Sequence, residues 1–268
     1  MTDRYAVIGN PVAHSKSPWI HAEFARATGQ NMEYGRIEAP LEEFARAVEE
    51  FRATGGRGAN VTLPFKQQAF RYCTAPSSRA QSAQAVNTLI FDRNGVRGDN
   101  TDGVGLVRDL SANLGRKIAG SRILLMGAGG AAQGVLEPLA QAGAAQIVIA
   151  NRTIARAQAL AARLGGFAVT ACGYQALRGE AFDLVINATS AGLEDAAPLL
   201  PGNVFARGGL AYDMVYGRGT PFLAMARAAG VEICDGTGML VEQAAESFFL
   251  WRGVRPDTAA VLSALRRR

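Results

Sequence analysis

The sequence predicts an α/β protein with two domains, and three observations support this prediction. Apolar, strand-like runs alternate with amphipathic helical segments along most of the chain, which is typical of parallel sheets flanked by helices. An apolar run at residues 123–126 breaks abruptly into Gly127-Ala128-Gly129 and then resumes as a helix-forming segment. A length of 268 residues allows one large or two ordinary domains. We expect residues 1–102 and 239–268 to form one domain and residues 103–238 the other.

In the first domain, each element is defined by the spacing of its apolar residues and by the turns that bound it. Ser17 is the predicted N-cap of the first helix, with Pro18 at its first position. The turn at residues 92–95 predicts a hairpin, whose register would bring Asn87 near Asp102. Strands are predicted at residues 5–9, 32–37, 58 onward, 85–91 and 96–98, and helices at 18–27, 41–51, 66–73 and 104–114.

The second domain continues the alternation, and no internal repeat or low-complexity tract interrupts it. A polar loop at residues 188–192 follows one of its strands, and a second glycine-rich turn spans residues 235–238. Two amphipathic helices close the chain. Further strands are predicted at residues 146–150, 168–171, 182–187, 209–213 and 231–234, and further helices after Gly129, at 153–164, from 221, at 239–251 and at 256–267.

The composition excludes several classes of protein. The net charge of +5 favours anionic ligands, but the basic residues are scattered, so we expect no nucleic-acid binding. No apolar run reaches the roughly 18 residues of a membrane span, and the N-terminus lacks a signal sequence, so a cytoplasmic protein is expected. Cys73, Cys172 and Cys234 show no metal-ligand or disulfide spacing. We therefore predict no metal site.

The glycine turn predicts a dinucleotide site. Gly127, Gly129 and Ala132 fit the G-x-G-x-x-G/A spacing, in which the glycines permit the turn and the approach of backbone to a pyrophosphate. Free N–H groups at the start of the helix would bind the anion. Small residues also serve tight strand–helix packing, so the spacing alone is a weak signal.

The end of the next strand favours NADP over NAD. An NAD site would carry an acidic residue here to bind the ribose 2′-hydroxyl, whereas this chain has Asn151-Arg152-Thr153 and then Arg156. The forked, permanently charged guanidinium groups suit a 2′-phosphate. The alternative is two solvated arginines, although the positive end of a helix dipole disfavours cations at that position.

Polar residues at strand ends and turns mark a second candidate site in the first domain. Ser15 and Ser17 could both bind a polyhydroxylated or carboxylated ligand, although Ser17 also fits a helix cap. Thr62 and Lys66 lie at the carboxyl end of a predicted parallel strand, where open α/β sheets place ligands. Asp102 fits a catalytic role and an N-cap equally well. The two histidines, His14 and His21, lack acidic or cysteine neighbours, and structural roles are expected for both.

These motifs together resemble the shikimate dehydrogenase family over nearly the whole chain. The resemblance implies a substrate domain, a Rossmann-like NADP-binding domain, and a C-terminal helix pair that returns to the first domain, with ligands in the cleft between the domains. It rests on motifs at residues 14–18, 60–66, 85–88, 98–103, 127–131, 151–153, 187–189 and 236–240. Thr237, at a position that is more often larger and apolar, and Pro76-Ser77-Ser78, in place of an acidic-leucine segment, depart from the family pattern.

The resemblance also implies site residues and a reaction. Lys66 and Asp102 match the catalytic pair of the family. Its substrate-binding positions match Ser15, Ser17, Thr62, Asn87, Tyr216 and Gln243. Its NADP-binding positions match Gly127, Gly129, Gly130, Ala131, Asn151, Arg152, Thr153, Arg156, Met214 and Gly238.

The expected reaction is the reversible reduction of 3-dehydroshikimate to shikimate by NADPH, a step in chorismate and aromatic amino acid biosynthesis. Lys66 would protonate or polarise the reacting carbonyl, with Asp102 as its partner. Sequence alone does not distinguish these two roles of Lys66. It also leaves open a broader enzyme that accepts quinate or NAD, a non-catalytic NADP-binding protein, and a monomeric or homodimeric state.

Overall fold

The structure is a computed structural model that describes residues 2–189, 200–201 and 203–267. Within these residues the chain forms twelve strands and ten α-helices. The strands are β1 Asp3–Gly9, β2 Met32–Glu38, β3 Gly56–Val61, β4 Ala75–Pro76, β5 Thr88–Asp92, β6 Gly95–Asp99, β7 Arg122–Met126, β8 Gln146–Ala150, β9 Val169–Cys172, β10 Phe182–Asn187, β11 Phe205–Asp213 and β12 Glu232–Cys234. The helices are α1 Ser17–Thr28, α2 Phe44–Ala53, α3 Lys66–Tyr72, α4 Ser78–Ala83, α5 Asp102–Arg108, α6 Gly130–Gln141, α7 Ile154–Ala161, α8 Pro221–Ala228, α9 Thr237–Arg252 and α10 Ala259–Arg266.

The chain divides into two compact units. The first unit comprises Met1–Gly105 and Leu240–Arg268, and the second comprises Leu106–Met239. The boundaries predicted from the sequence lie after residues 102 and 238, against 105 and 239 in the structure. The C-terminal helical segment thus belongs to the same unit as the N-terminal strands.

The first unit contains a mixed sheet, in the order β2-β1-β3-β5-β6-β4 as far as the described residues extend. Strand β1 pairs in parallel with β2 and β3, but the β5–β6 hairpin makes β5 antiparallel to both of its neighbours. The register pairs Asn60 with Thr88 and Thr88 with Asp99. Polar residues on three strand ends are therefore neighbours. A fully parallel sheet, which the β-α-β alternation favours, does not form in this unit.

The second unit contains a parallel sheet, in the order β12-β11-β10-β7-β8-β9 for the strands described. The chain leaves the central strand β7 toward β8 and β9, and later returns to the other side of β7 through β10. This reversal is a topological switch point, and open α/β sheets bind ligands at the carboxyl ends of such strands. The glycine turn between β7 and α6 lies at that position.

Several local predictions were wrong at element ends. The residue that precedes α1 is Lys16, whose side chain makes no capping hydrogen bond. Ser17 is the first residue of the helix, and its N–H donates to the Ser15 hydroxyl at 3.3 Å. Helix α2 begins at Phe44, and Leu41 lies outside it with an exposed fraction of 55%. Helix α10 begins at Ala259, three residues beyond the predicted start at residue 256.

Two further observations bear on the predicted class. No helix within the described residues combines the length and the apolarity that a membrane span requires. All three cysteines are free thiols. In the polar loop predicted at residues 188–192, residues 190–192 lie outside the described residues.

Candidate active site

The first unit contains an enclosed ion pair between Lys66 and Asp102. Lys66 is the first residue of α3, just beyond the end of β3, and Asp102 is the first residue of α5. Nζ of Lys66 lies 2.6 Å from Oδ2 of Asp102, and the two side chains are only 15% and 6% exposed. A lysine held in this way presents its positive charge at a fixed point, with little water to screen it.

In the structure, Asp102 is the first residue of α5 and not its cap, and its side chain bonds to other elements. The side chain of Asn100 accepts a hydrogen bond from the Asp102 N–H at 3.1 Å, so Asn100 is the residue that satisfies this backbone donor. The Asp102 carboxylate instead accepts hydrogen bonds from Lys66 and, at 2.8 Å, from Nδ2 of Asn87. The predicted proximity of Asn87 to Asp102 is confirmed.

Asn87 joins this pair to the C-terminal helix. Its Nδ2 donates to Oγ1 of Thr101 at 2.9 Å and, in a longer contact of 3.3 Å, to Oε1 of Gln243 on α9. Asn87 and Thr101 are almost fully buried. The structure therefore brings four predicted residues together in one cluster: Lys66, Asn87, Asp102 and Gln243.

Ser15, Ser17 and Thr62 belong to the same unit, but no hydrogen bond among the described residues joins their side chains to Lys66 or Asp102. Ser15 and Ser17 are each 6% exposed. The guanidinium of Arg36 fixes the loop before α1 by donating to the carbonyl oxygen of Ser15, with a 2.6 Å bond from Nη2. Thr62 extends β3, where its N–H donates to the carbonyl oxygen of Ile8 at 2.9 Å.

In the second unit, the glycine turn has the backbone that its sequence predicts. Gly127 has a φ of +103°, in the left-handed region, and a Cβ there would lie 3.1 Å from the carbonyl oxygen of Ala188. Apart from Gly129 itself and its two chain neighbours, no described residue has an atom within 4 Å of the position that a Cβ of Gly129 would occupy. Gly130 is the first residue of α6, so the N–H groups of the first turn have no carbonyl partner in their own helix. An open turn followed by a helix start fits a pyrophosphate.

The end of β8 places two arginines on the surface. Arg152 and Arg156 are exposed, and no carboxylate of the described residues forms an ion pair with either. Asn151 shapes the segment by donating from Nδ2 to the carbonyl oxygen of Thr153 at 2.9 Å. Burial raises the pKa of Tyr174, and the positive charge of Arg152 opposes that shift. Tyr174 was not among the site residues predicted from the sequence.

Two carboxylates hold the loop that carries Met214 and Tyr216. Asp213 accepts from the N–H of Val215 at 3.0 Å, and Asp235 accepts from the N–H of Gly217 at 2.9 Å. Burial raises the pKa of Asp213, although hydrogen bonds, among them a 2.6 Å bond from Thr220, oppose the shift.

Gly238 lies directly against a buried carboxylate. A Cβ at Gly238 would fall 1.9 Å from Oδ1 of Asp109, so no larger residue fits unless the Asp109 carboxylate or the backbone moves. Asp109 begins a π-helical turn, Asp109–Asn113, that continues α5, and it accepts a hydrogen bond from the hydroxyl of Tyr212 at 2.6 Å. The sequence gives no local signal for this contact, because Asp109 is distant in the chain. No cluster suited to a metal ion occurs among the described residues.

Comparisons with known proteins identify the family of this chain. Three family models match the chain: the shikimate dehydrogenase substrate binding domain at residues 7–89, shikimate / quinate 5-dehydrogenase at residues 109–194, and the shikimate 5′-dehydrogenase C-terminal domain at residues 236–266. The shikimate dehydrogenase (NADP(+)) of Aromatoleum aromaticum is 58% identical over 99% of this chain and 98% of its own length. The chain belongs to the shikimate dehydrogenase family.

Solved structures of shikimate dehydrogenases and their relatives have the same fold. An Ael1 enzyme from Pseudomonas putida superposes with a TM-score of 0.94 at 50% identity, covering 98% of each chain. Shikimate 5-dehydrogenase from Thermus thermophilus, in complex with NADP(H) and shikimate, superposes with a TM-score of 0.89 at 38% identity, covering 99% of each chain.

Proposed function

We propose that this protein catalyses the reversible, NADP-dependent reduction of 3-dehydroshikimate to shikimate, a step in the biosynthesis of chorismate and aromatic amino acids. The observation that carries the proposal is the enclosed Lys66–Asp102 pair, bonded to Asn87. Full-length similarity to enzymes named shikimate dehydrogenase (NADP(+)) supports both the reaction and the cofactor.

Lys66 is the group that acts on the reacting carbonyl. As hydride reaches the carbonyl carbon, negative charge develops on its oxygen, and the Lys66 ammonium stabilises that charge and is placed to donate a proton from Nζ. Asp102 holds the ammonium through the 2.6 Å bond and balances its charge. The converse step, with Lys66 accepting the proton, serves shikimate oxidation.

The remaining polar residues of the first unit bind the substrate in this proposal. Their hydroxyl and carboxamide groups provide donors and acceptors for a polyhydroxylated acid. The full set is Ser15, Ser17, Thr62, Asn87 and Gln243, with Tyr216 from the second unit.

The residues of the second unit suit the binding of NADP. The open space at Gly129 admits a pyrophosphate next to backbone, and the exposed guanidinium groups of Arg152 and Arg156 suit a 2′-phosphate. The bound nicotinamide supplies or accepts the hydride. The residues that hold the cofactor are Gly127, Gly129, Gly130, Ala131, Asn151, Arg152, Thr153, Arg156, Met214 and Gly238.

The test follows the absorbance of NADPH or NADH with the purified protein, in four combinations of shikimate or quinate with NADP or NAD. We expect the highest kcat/KM with shikimate and NADP. Comparable rates with quinate or NAD would indicate the broader enzyme, and the absence of turnover in all four, with NADP still bound, would indicate a binding protein instead.

We also propose a cytoplasmic location and a monomeric or homodimeric state. The three free cysteines suit a reducing compartment. Light scattering of the purified protein measures the mass of the particle. A mass above that of two chains would contradict the proposed state.

A further inference from the structure

A buried hydrogen-bond network lies behind the Lys66–Asp102 pair in the first unit. Its centre is Asn60 on β3, which is 6% exposed. Oδ1 of Asn60 accepts a hydrogen bond from the hydroxyl of Tyr34 at 2.7 Å. Nδ2 lies 3.1 Å from the carbonyl oxygen of Asn87, 3.1 Å from Oγ1 of Thr88 and 2.9 Å from Oγ of Ser247. Side chains from three strands and one helix thus share one buried polar centre.

Thr88 and Ser247 extend the network toward the active site. Both are fully buried, and their hydroxyl oxygens are 2.8 Å apart. Oγ1 of Thr88 donates to Oδ1 of Asn87 at 2.9 Å. Oγ of Ser247 lies 3.0 Å from the carbonyl oxygen of Gln243 and 3.2 Å from Oγ1 of Thr101. Each hydroxyl therefore contacts a residue that itself belongs to the cluster around Asp102.

The network fixes which way the Asn87 carboxamide faces. Its Oδ1 accepts from the N–H of Thr101 at 2.9 Å, and its Nδ2 donates to the Asp102 carboxylate at 2.8 Å. A backbone N–H can only donate and a carboxylate can only accept, so a rotated amide would face two like partners. Thr88 adds a further donor on the Oδ1 side. Its hydroxyl thus stabilises the orientation in which Asn87 points its N–H group at Asp102.

We propose that Thr88, supported by Asn60 and Ser247, is a positioning residue for this reaction. It acts through Asn87, whose oriented amide keeps the Asp102 carboxylate directed at Lys66. The inference rests on the proposed function, because Asn87 and Asp102 are there given roles in binding and catalysis. Polar groups of a site must be held within a fraction of an ångström to act, and buried neighbours supply that restraint.

The variant Thr88→Val removes the hydroxyl and preserves the shape of the side chain. In this variant Nδ2 of Asn60 still has two acceptors, the carbonyl oxygen of Asn87 and Oγ of Ser247. The network therefore loses the Thr88 hydroxyl, and Nδ2 of Asn60 keeps hydrogen-bond partners. Thr88→Ser retains the hydroxyl and serves as the rescue variant. Thr28→Val is the matched control, because the Thr28 hydroxyl donates to the carbonyl oxygen of Phe24 in α1 and takes no part in the network.

The experiment is a double-mutant cycle that combines Thr88→Val with Asn87→Ala and measures kcat/KM for shikimate. If Thr88 acts through Asn87, Thr88→Val lowers kcat/KM roughly tenfold in the wild-type background, short of the roughly hundredfold cost of a full ångström of displacement. In the Asn87→Ala background it lowers kcat/KM less than about twofold. Thr88→Ser restores at least half of the activity, Thr28→Val matches the wild type, and KM for NADP stays constant throughout.

Equal losses in both backgrounds would overturn the inference, since they would show an effect independent of Asn87. If Asn87→Ala turns over too slowly to measure, the same cycle is taken from the dissociation constant of shikimate, determined by calorimetry. A wild-type protein without activity toward shikimate would contradict the proposed function instead, which keeps the two failures distinct.

Discussion

The two units hold their candidate residues in opposite ways. In the first unit, Lys66, Asn87 and Asp102 are enclosed and bonded to one another. In the second, Arg152 and Arg156 are exposed, and no described residue fills the space at Gly129. A prearranged polar cluster suits groups that must meet a developing charge, because their reorganisation is avoided during the reaction. An open surface leaves room for a large anion such as a dinucleotide. Changes in the first unit should therefore lower kcat, and changes in the second should alter cofactor binding.

The largest expected effect is that of Lys66→Ala. Loss of a general acid–base group lowers kcat roughly 10²–10⁴-fold, measured by steady-state NADPH formation at saturating shikimate and NADP. Lys117→Ala is the control, because Lys117 is exposed, and it should retain wild-type kcat. A rise in KM with kcat unchanged would reduce Lys66 to a binding residue.

The second prediction tests the open side of the comparison. If Arg152 binds the 2′-phosphate as proposed, Arg152→Asp replaces a charge-assisted hydrogen bond by repulsion, so the preference for NADP over NAD should fall roughly 10–100-fold. The measurement is kcat/KM for each cofactor at saturating shikimate. Arg163→Asp, at another exposed arginine, should leave the preference unchanged. An unchanged preference in Arg152→Asp would remove the 2′-phosphate assignment.

A third prediction separates packing from binding within the second unit. Gly238→Ala forces a methyl group into the space of the Asp109 carboxylate, so the free energy of unfolding should fall by about 1–3 kcal/mol. Gly129→Ala meets no neighbour among the described residues and should change that free energy by less than about 1 kcal/mol. It should nevertheless raise KM for NADP, because the backbone can no longer approach the pyrophosphate. Denaturant unfolding and steady-state kinetics measure the two effects. Equal stability losses in the two variants would contradict the packing argument.

The smallest predicted effect concerns His21, which lies in the first unit and for which a structural role is expected. It is fully buried and stacks on Tyr34, with ring centroids 4.2 Å apart. Neither ring nitrogen has a hydrogen-bond partner among the described residues. Burial lowers the pKa of His21 from 6.5 to about 3, against a small opposing effect of the Asn60 side chain.

The sign of the pH dependence follows from that lowered pKa. Below pH 6.5 the unfolded chain binds a proton that the folded protein does not, so stability falls as pH falls from 6.5 toward 3. Between pH 7.5 and 5.5 the wild type should lose about 1.4 kcal/mol more than His21→Phe, measured by urea unfolding at both values. Equal losses in wild type and His21→Phe would show that His21 is not buried in neutral form.

Features set by local sequence could be predicted, and features set by distant contacts could not. The turn at Gly127 follows from neighbouring residues, and the meeting of Asn87 with Asp102 follows from a hairpin whose register its turn fixes. The contact of Thr88 with Ser247 joins residues 159 positions apart. It depends on the packing of α9 against the sheet, which no local pattern encodes.

Local rules also failed at the starts of α1 and α2, where contacts with other parts of the first unit decide the structure. A serine before Pro18 is a good N-cap, but Arg36 and the Ser15 hydroxyl fix this turn by other bonds. The apolar Leu41 matched a helical period that tertiary packing did not use. The site roles assigned by resemblance stay predictions, and the variants above are their test.

The central claim is that the first unit performs the chemistry while the second holds the cofactor. A single-turnover measurement tests it most directly, with enzyme in excess over NADP and with saturating shikimate, in wild type and Lys66→Ala. The prediction is that NADPH forms at least about 100-fold more slowly in the variant, while the dissociation constant of NADP is unchanged. NADPH formation at the wild-type rate in Lys66→Ala would contradict the claim.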